Sequence, residues 1–204
     1  MRRLLKFAGF VVMLLVLFYA GSLLADKHTL RNDVIRLHVV ADSDSSEDQS
    51  IKLSVRDAVI AYVQKDINVM GNALEAKNYL SGKLTALEKV ANETLRSLGS
   101  TDHAKVYLTK EEFGVREYDT FSLPSGIYDS LRIEIGSAEG KNWWCVIFPS
   151  LCLPATQEGF ADTAVAAGFD EGLTDTLSGN NRYEIRFFLL DCLGKLENFF
   201  SFSS

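Results

Sequence analysis

A chain of 204 residues is long enough to bury the core of one ordinary domain. Its 27 acidic residues outnumber its 21 basic residues, giving a formal net charge of −6. Because nucleic-acid phosphates and anionic lipids attract clustered Lys and Arg, this charge balance argues against binding either one through a basic surface. The composition therefore indicates a globular domain without a nucleic-acid partner.

The first 25 residues have the pattern of an export signal. Three basic residues lie among the first six, and a charge-free apolar run follows from Phe7 to Ala25. The run is nearly as long as a bilayer span, and Leu23 is a poor residue for signal cleavage after Ala25. We therefore predict either a cleaved signal peptide or a retained N-terminal membrane anchor over 1–25, in preference to a buried core helix. The positive-inside rule places the chain after Asp26 outside the cytoplasm.

Residues 26–33 are polar and charged, which predicts a short linker to a domain over 34–200. This domain opens at Val34–Ala41, where β-branched residues and loose alternation predict a strand. One face of the strand would hold Ile35, Leu37 and Val39, and the other Arg36, His38 and Val40. On this basis we interpret His38 as a surface or half-buried side chain.

The acidic segment 42–48 interrupts the strand and predicts the cap of a first helix. Asp44 and Ser45 have the spacing to accept hydrogen bonds from the free N–H groups at its start. The alternating acids also resemble the beginning of a calcium loop. However, the sixth position is Glu47 where such a loop requires glycine, so we predict a cap and no metal.

Helical and strand periods then follow one another along the chain. Helices are predicted up to about Asp66 and from about Ala73 to Leu98, because apolar residues recur every three or four positions. The period changes to two from Ala104, again over Tyr128–Ile135, and a short apolar strand follows over Trp143–Phe148. We predict an α+β fold: one exported domain with a mixed or antiparallel sheet, its helices packed mainly on one face.

The last quarter of the chain gives weaker patterns. The segment 153–181 lacks Lys and Arg and is rich in acids and glycine, which predicts a flexible acidic loop. A strand over Tyr183–Phe187 and an amphipathic helix over Leu189–Phe200 are expected after it.

The segment Asn142–Cys152 contains both tryptophans and two of the three cysteines. Trp143 and Trp144 are neighbours, so in a strand their rings point to opposite faces, and one can be exposed as an interface anchor. We predict partner binding through Trp143, Trp144 and Phe148; the alternative is that both rings are core.

A disulfide between Cys145 and Cys152 is possible in this segment, because their spacing permits a small loop and the extracytoplasmic space permits oxidation. Cys192 in place of one of them, or three free thiols, are the alternatives.

Motifs for catalysis, cofactors and metals are missing from the sequence. The segment Gly136–Asn142 is one residue shorter than a phosphate loop, and no nucleophile elbow or zinc-protease motif occurs. We therefore predict no catalytic residue, no cofactor and no metal site. An extracytoplasmic cell-wall hydrolase is the main alternative, with Glu134 and Glu139 as available carboxylates, and a structural envelope protein is a further one.

The domain resembles the stage II sporulation protein R family. The resemblance rests on Ile35–Val59 at the start, Gly126–Gly140 in the middle, Asn142–Cys152 with its Trp-Trp-Cys element, and Arg186–Leu196 at the end. It implies an exported signal made in the forespore of an endospore-forming bacterium and released toward the mother cell. Its implied partner is a membrane-embedded aspartic protease of the mother cell, which then processes the sigma-E precursor. The family member would be the signal and not the enzyme.

Overall fold

The computed structural model describes residues 1–118, 120–150, 159–178 and 184–201. Over these residues the chain forms six helices and six strands. The helices are α1 (Arg2–Asp33), α2 (Ser46–Ile67), α3 (Ala73–Ser97), α4 (Gly159–Ala166), α5 (Glu171–Leu177) and α6 (Glu184–Ser201). The strands are β1 (Ile35–Val40), β2 (Ala104–Phe113), β3 (Arg116–Glu117), β4 (Ser122–Leu123), β5 (Gly126–Ile135) and β6 (Asn142–Phe148).

Four strands form the main sheet, in the order β2-β5-β1-β6. The two central strands, β1 and β5, are parallel, while β2 and β6 run antiparallel to their neighbours at the two edges. Strands β3 and β4 pair separately as a small hairpin. The predicted α+β class with a mixed sheet is confirmed.

One face of the sheet carries the main apolar core. Leu37 and Val39 of β1 lie beside Leu131 and Ile133 of β5, and all four are inaccessible to solvent. Helices α2 and α3 cover this face with their own apolar stripes. Because each fully buried aliphatic side chain contributes roughly 1.5–3 kcal/mol, this layer is the principal source of stability.

The opposite face has a second, smaller core. Val146 of β6 and Tyr128 of β5 pack there with Leu30 of α1 and Leu190 of α6. The predicted one-face packing describes α2 and α3, whereas α1 and α6 pack over part of the other face. Helices α1 and α6 shield the apolar side chains of Tyr128 and Val146 on this face from solvent.

Helix α1 continues into the domain without an intervening linker. Its first part is exposed and is long and apolar enough to cross a membrane, as predicted for a signal or anchor. The predicted linker over 26–33 is helical instead. Asp26 is buried in an ion pair with Arg186 of α6 at 2.6 Å, and Leu30 is in the second core. Three of the charges that suggested a linker, on Asp26, Lys27 and Arg31, pair with residues of α6.

The predicted acidic loop over 153–181 is largely helical where it is described, as α4 and α5. Phe160 of α4 and Leu173 of α5 are buried in the second core, and Asp170 caps α5. Residues 151–158 and 179–183 lie outside the described residues. The strand expected up to Phe187 is wrong, because α6 begins at Glu184 and includes the predicted helix over 189–200.

Candidate docking site on the edge strand

Strand β6 places its two tryptophans on opposite faces of the sheet edge. Trp143 is 36% exposed and lies on the side of α2, whose Arg56 guanidinium carbon is 4.3 Å from its ring centroid. Trp144 is half-buried on the other side, where the Arg116 guanidinium carbon is 5.1 Å from its ring centroid. Each indole therefore carries a cation, which is a favourable contact with the face of the ring.

The ring of His38 stacks on Trp144, with centroids 3.7 Å apart and planes inclined by 23°. Strand alternation puts His38 on this face, and the sheet register places it beside Arg132 of β5 as well as Trp144 of β6. Its Nδ1 lies 3.0 Å from Glu111 Oε1, and its Nε2 lies 2.7 Å from Asn142 Oδ1. Polar contacts at both ring nitrogens thus fix the imidazole under the indole.

Carboxylates on this face are held in their charged form. Burial alone would raise the pKa of Glu111, but hydrogen bonds from His38 and Arg132, among others, lower it to about 2. The pKa of Glu134 is lowered by a hydrogen bond from Tyr107 and by Arg132, which donates Nε–H at 2.8 Å. A general acid for glycoside hydrolysis requires a raised pKa, so the lowered pKa of Glu134 does not suit that one role in the hydrolase alternative.

Arg36 lies deeper on the same face and is inaccessible to solvent. Its guanidinium carbon is 3.9 Å from the centroid of the Phe113 ring, and its Nη2 donates to the Tyr118 hydroxyl at 2.7 Å. Neither Nε nor Nη1 has a hydrogen-bond partner among the described residues. Burial lowers the pKa of Arg36, since desolvation disfavours the charged form.

The other predicted site residues on this strand do not contribute exposed surface. Phe148 is only 2% exposed and packs in the main core, so it is not available for contact with a partner in this conformation. Cys145 is buried beside Leu37 of β1. Its pairing with Cys152 stays a prediction, because Cys152 lies outside the described residues. Cys192 of α6 is a free thiol.

The two predicted cap residues have different roles. Ser45 is the N-cap of α2, and its hydroxyl accepts a hydrogen bond from the Asp48 N–H at 3.0 Å. Asp44 accepts from the Lys141 N–H at 2.7 Å instead, which ties this corner to the loop before β6.

Three acidic residues approach one another near this corner. One carboxylate oxygen from each of Asp42, Asp48 and Asp102 lies within 4.8 Å of the others, close enough to share a cation. Each also accepts a hydrogen bond from a neighbour, namely Ser137 N–H, Ser45 Oγ–H and Ser100 Oγ–H respectively. The hydrogen bonds from Ser43 and Ser45 lower the pKa of Asp48. Each of these three carboxylates therefore already has a hydrogen-bond donor within the protein.

Sequence reasoning missed the polar cluster beneath Trp144. His38 was interpreted as an ordinary surface or half-buried residue, but it is 3% exposed and contacts three strands. A signal was available, since Arg36 and His38 alternate with apolar residues in an otherwise apolar strand. The partners Glu111 and Asn142 lie 73 and 104 residues away from His38, a separation that local spacing cannot bridge.

Comparison with known protein families now bears on this geometry. The sequence model of the family described as stage II sporulation protein R matches residues 31–158, which is more than half of the chain. The chain belongs to the stage II sporulation protein R family. The match begins at the end of α1 and includes the whole main sheet with both tryptophans. It ends before Arg186–Leu196, so the likeness expected for that segment lies outside the match.

A curated relative supports the same assignment. The stage II sporulation protein R of Bacillus subtilis (strain 168) is 34% identical over 121 residues. This alignment covers 59% of the present chain and 54% of the relative, so the chain spans about half the length of the relative that it matches. No solved structure matches the chain. Family membership therefore supports a role in sporulation.

Proposed function

We propose that this protein is an exported sporulation signal that activates a membrane-embedded aspartic protease. In this proposal the forespore makes the protein and exports it toward the mother cell, where the protease then processes the sigma-E precursor. The export helix α1 and the family membership support the proposal. The domain would act either secreted into the space between the two cells or anchored there by α1.

The observation that carries a docking role is the pair of cation-covered tryptophans on β6. The strand is at the edge of the described sheet, so Trp143 and Trp144 flank an edge that can meet a partner from the side. Aromatic residues and arginines are the side chains most often found at the energetic centre of interfaces. Here Arg56 and Arg116 lie over the two indoles and hold them in place.

The two tryptophans should separate docking from folding. Trp143 contacts Arg56 at the surface, so Trp143→Ala should leave the domain folded. Trp144 stacks on His38 and packs edge-on against Phe113, with centroids 4.9 Å apart, so Trp144→Ala should mainly destabilise the domain. Truncating an interface tryptophan can cost about 2 kcal/mol or more of binding, enough to abolish signalling through Trp143.

The test is reconstitution of the whole pathway. The full chain, the candidate protease and the sigma-E precursor are expressed together in a host that does not sporulate, and cleavage of the precursor is followed by immunoblot. We expect cleavage with the wild-type chain and none with Trp143→Ala at equal levels of folded protein. Leu98→Ala, which removes another exposed apolar side chain at the end of α3, is the matched control and should signal normally.

Two results would count against the proposal at different levels. If the wild-type chain causes no cleavage, the protease partner is wrong. If cleavage occurs but both tryptophan variants fold and signal at the wild-type level, the edge of β6 is not the docking site. Purified domain that releases fragments from peptidoglycan would instead favour the hydrolase.

A further inference from the structure

The C-terminal helix α6 has an apolar side that no described element covers. Its exposed members include Ile185 at 74%, Phe188 at 62% and Phe199 at 67%, and Leu196 and Phe200 are also more than half exposed. Soluble domains rarely expose a contiguous stripe of this kind unless it contacts a membrane or another protein. We call these five residues the outer stripe of α6.

Ion pairs fix the direction of α6 relative to α1. Arg186 pairs with Asp26 at 2.6 Å, and Glu197 pairs with Lys27 at 3.2 Å. The two α6 residues are separated by about 16 Å along their helix, whereas their α1 partners are about 1.5 Å apart along theirs. Glu197 also pairs with Arg31 at 2.9 Å, so the α1 partners together extend over about 7.5 Å of that helix. Because the partners lie closer together on α1 than on α6, we infer that α6 crosses α1 obliquely and does not run parallel to it.

The sheet lies on the side of α6 away from the outer stripe. The Ser125 N–H donates to Asp191 Oδ1, and Gly194 packs directly against the Ser125 carbonyl. At about 100° per residue, Ile185 projects about 180° away from Gly194 around the helix. The outer stripe therefore points away from the folded domain. The domain itself follows the C-terminal end of α1 at Asp33.

The depth of α6 follows from α1. The charge-free run from Phe7 to Ala25 is about 28 Å long as a helix, which matches the roughly 30 Å hydrocarbon core of a bilayer. Asp26 is the first charged residue after this run, so with α1 across a membrane its ion pair with Arg186 is at the bilayer surface. Ile185 and Phe188 are next to Arg186 and are therefore at the same level.

We propose that α6 rests on the outer leaflet of the membrane that α1 crosses, with the outer stripe inserted among the lipids. The oblique crossing brings α6 toward the plane of the bilayer, and the stripe faces away from the domain, toward the lipid. An apolar face of this kind with adjacent polar flanks is the arrangement of interfacial helices. The occupant is lipid hydrocarbon, and the proposal does not depend on protease activation. It gives the domain two attachments and hence one orientation on the membrane.

The test uses the full chain in nanodiscs of phosphatidylcholine. A small fluorophore is attached to the free thiol of Cys192, which is in the middle of α6 near the outer stripe. Lipids brominated in their acyl chains then quench the fluorophore if it contacts the bilayer. The control carries the label on Ser81→Cys in a Cys192→Ser background, at an exposed position of α3 across the sheet. We expect quenching at position 192 to exceed that at position 81 by about twofold or more.

A second pair of variants guards against an effect of the label. Phe188→Asp with Phe199→Asp should abolish the excess quenching without lowering the melting temperature, because both side chains are exposed. Leu74→Asp with Leu98→Asp, at exposed sites on α3 and just beyond its end, should leave the quenching unchanged. Equal quenching at positions 81 and 192 would overturn the proposal. The proposal would also be overturned if Cys192 of the unlabelled chain cross-links to Cys192 of a second copy and the labelled chain shows no quenching. A second copy of the chain would then cover the stripe.

Discussion

The two faces of the main sheet are both largely buried, but they are built from different chemistry. The face under α2 and α3 is apolar, with Leu37 beside Leu131 as its centre. The other face holds Arg36 and His38 of β1 and Glu111 of β2. All six residues of β1 are buried. The alternation of residue types along β1 therefore separates an apolar face from a polar face, and it does not separate a buried face from an exposed one.

This difference predicts where stability and specificity reside. Burial of apolar side chains is non-directional, so each buried apolar residue contributes to the free energy of unfolding. Buried charges contribute to it only while their partners remain in place. The apolar face should therefore dominate the free energy of unfolding. The polar face should control pH dependence and the position of Trp144.

Leu131→Ala should have the largest effect of these substitutions. The side chain is inaccessible to solvent in the main core, and its removal should lower the free energy of unfolding by about 2–5 kcal/mol. Urea unfolding followed by circular dichroism measures this loss. A loss smaller than that of the polar-face variants below would show that the apolar face is not the dominant one.

Glu111→Gln should lower the free energy of unfolding at pH 7 by about 2 kcal/mol, less than the roughly 3 kcal/mol that the full pKa shift corresponds to, because solvent partly screens this carboxylate. The pKa of Glu111 is about 2 in the folded chain, below a value of about 4.3 for an unfolded glutamate. Its contribution is therefore complete above about pH 4.3 and is lost as pH falls toward about 2. Urea titrations from pH 6 to pH 2 should give a steeper decline for wild type than for the variant. Parallel declines would contradict the ion-pair network.

Arg36→Met should keep or raise stability, by about 1–2 kcal/mol at most. The guanidinium is buried with two unpartnered nitrogens, and methionine retains contact with the Phe113 ring at no cost in desolvated charge. Thermal melting measures the change. Arg132→Met is the matched control and should destabilise, because it leaves Glu111 without one of its cations. A destabilised Arg36→Met would mean that the cation–ring contact outweighs desolvation.

Ser45→Ala should have the smallest effect on stability of these substitutions. Ser45 caps α2, one of the helices that cover the apolar face. Loss of the cap of α2 should lower the free energy of unfolding by about 0.5–1 kcal/mol, without a response to calcium. Asp44→Ala should instead loosen the loop before β6, where Asp44 binds Lys141. Hydrogen exchange distinguishes the two sites. A calcium-dependent rise in melting temperature would contradict the prediction of no metal and indicate a cation at the cluster of Asp42, Asp48 and Asp102.

Most regular elements were predictable because their periods are local. The helices around Val55 and Leu87 and the strands around Leu37 and Ile133 show clear three-to-four or twofold spacing. The likeness of Asn142–Cys152 to the family also pointed to the correct family.

The errors came from partners that are distant in sequence. Asp26 looked like part of a polar linker because Arg186, which pairs with it, is 160 residues away. Similarly, Phe160 and Leu173 looked like members of an acidic loop, although the second core gives them an apolar environment. His38 was underestimated for the same reason, since its contacts come from three other strands.

The close approach of Gly194 to Ser125 limits which sequences this fold tolerates. A methyl group at position 194 would overlap the backbone carbonyl of Ser125, so even alanine would force α6 away from the start of β5. Every single-nucleotide change of a glycine codon that alters the amino acid introduces a larger residue. A saturation library selected for sporulation should therefore return glycine alone at this position, while the neighbouring Lys195 accepts many replacements.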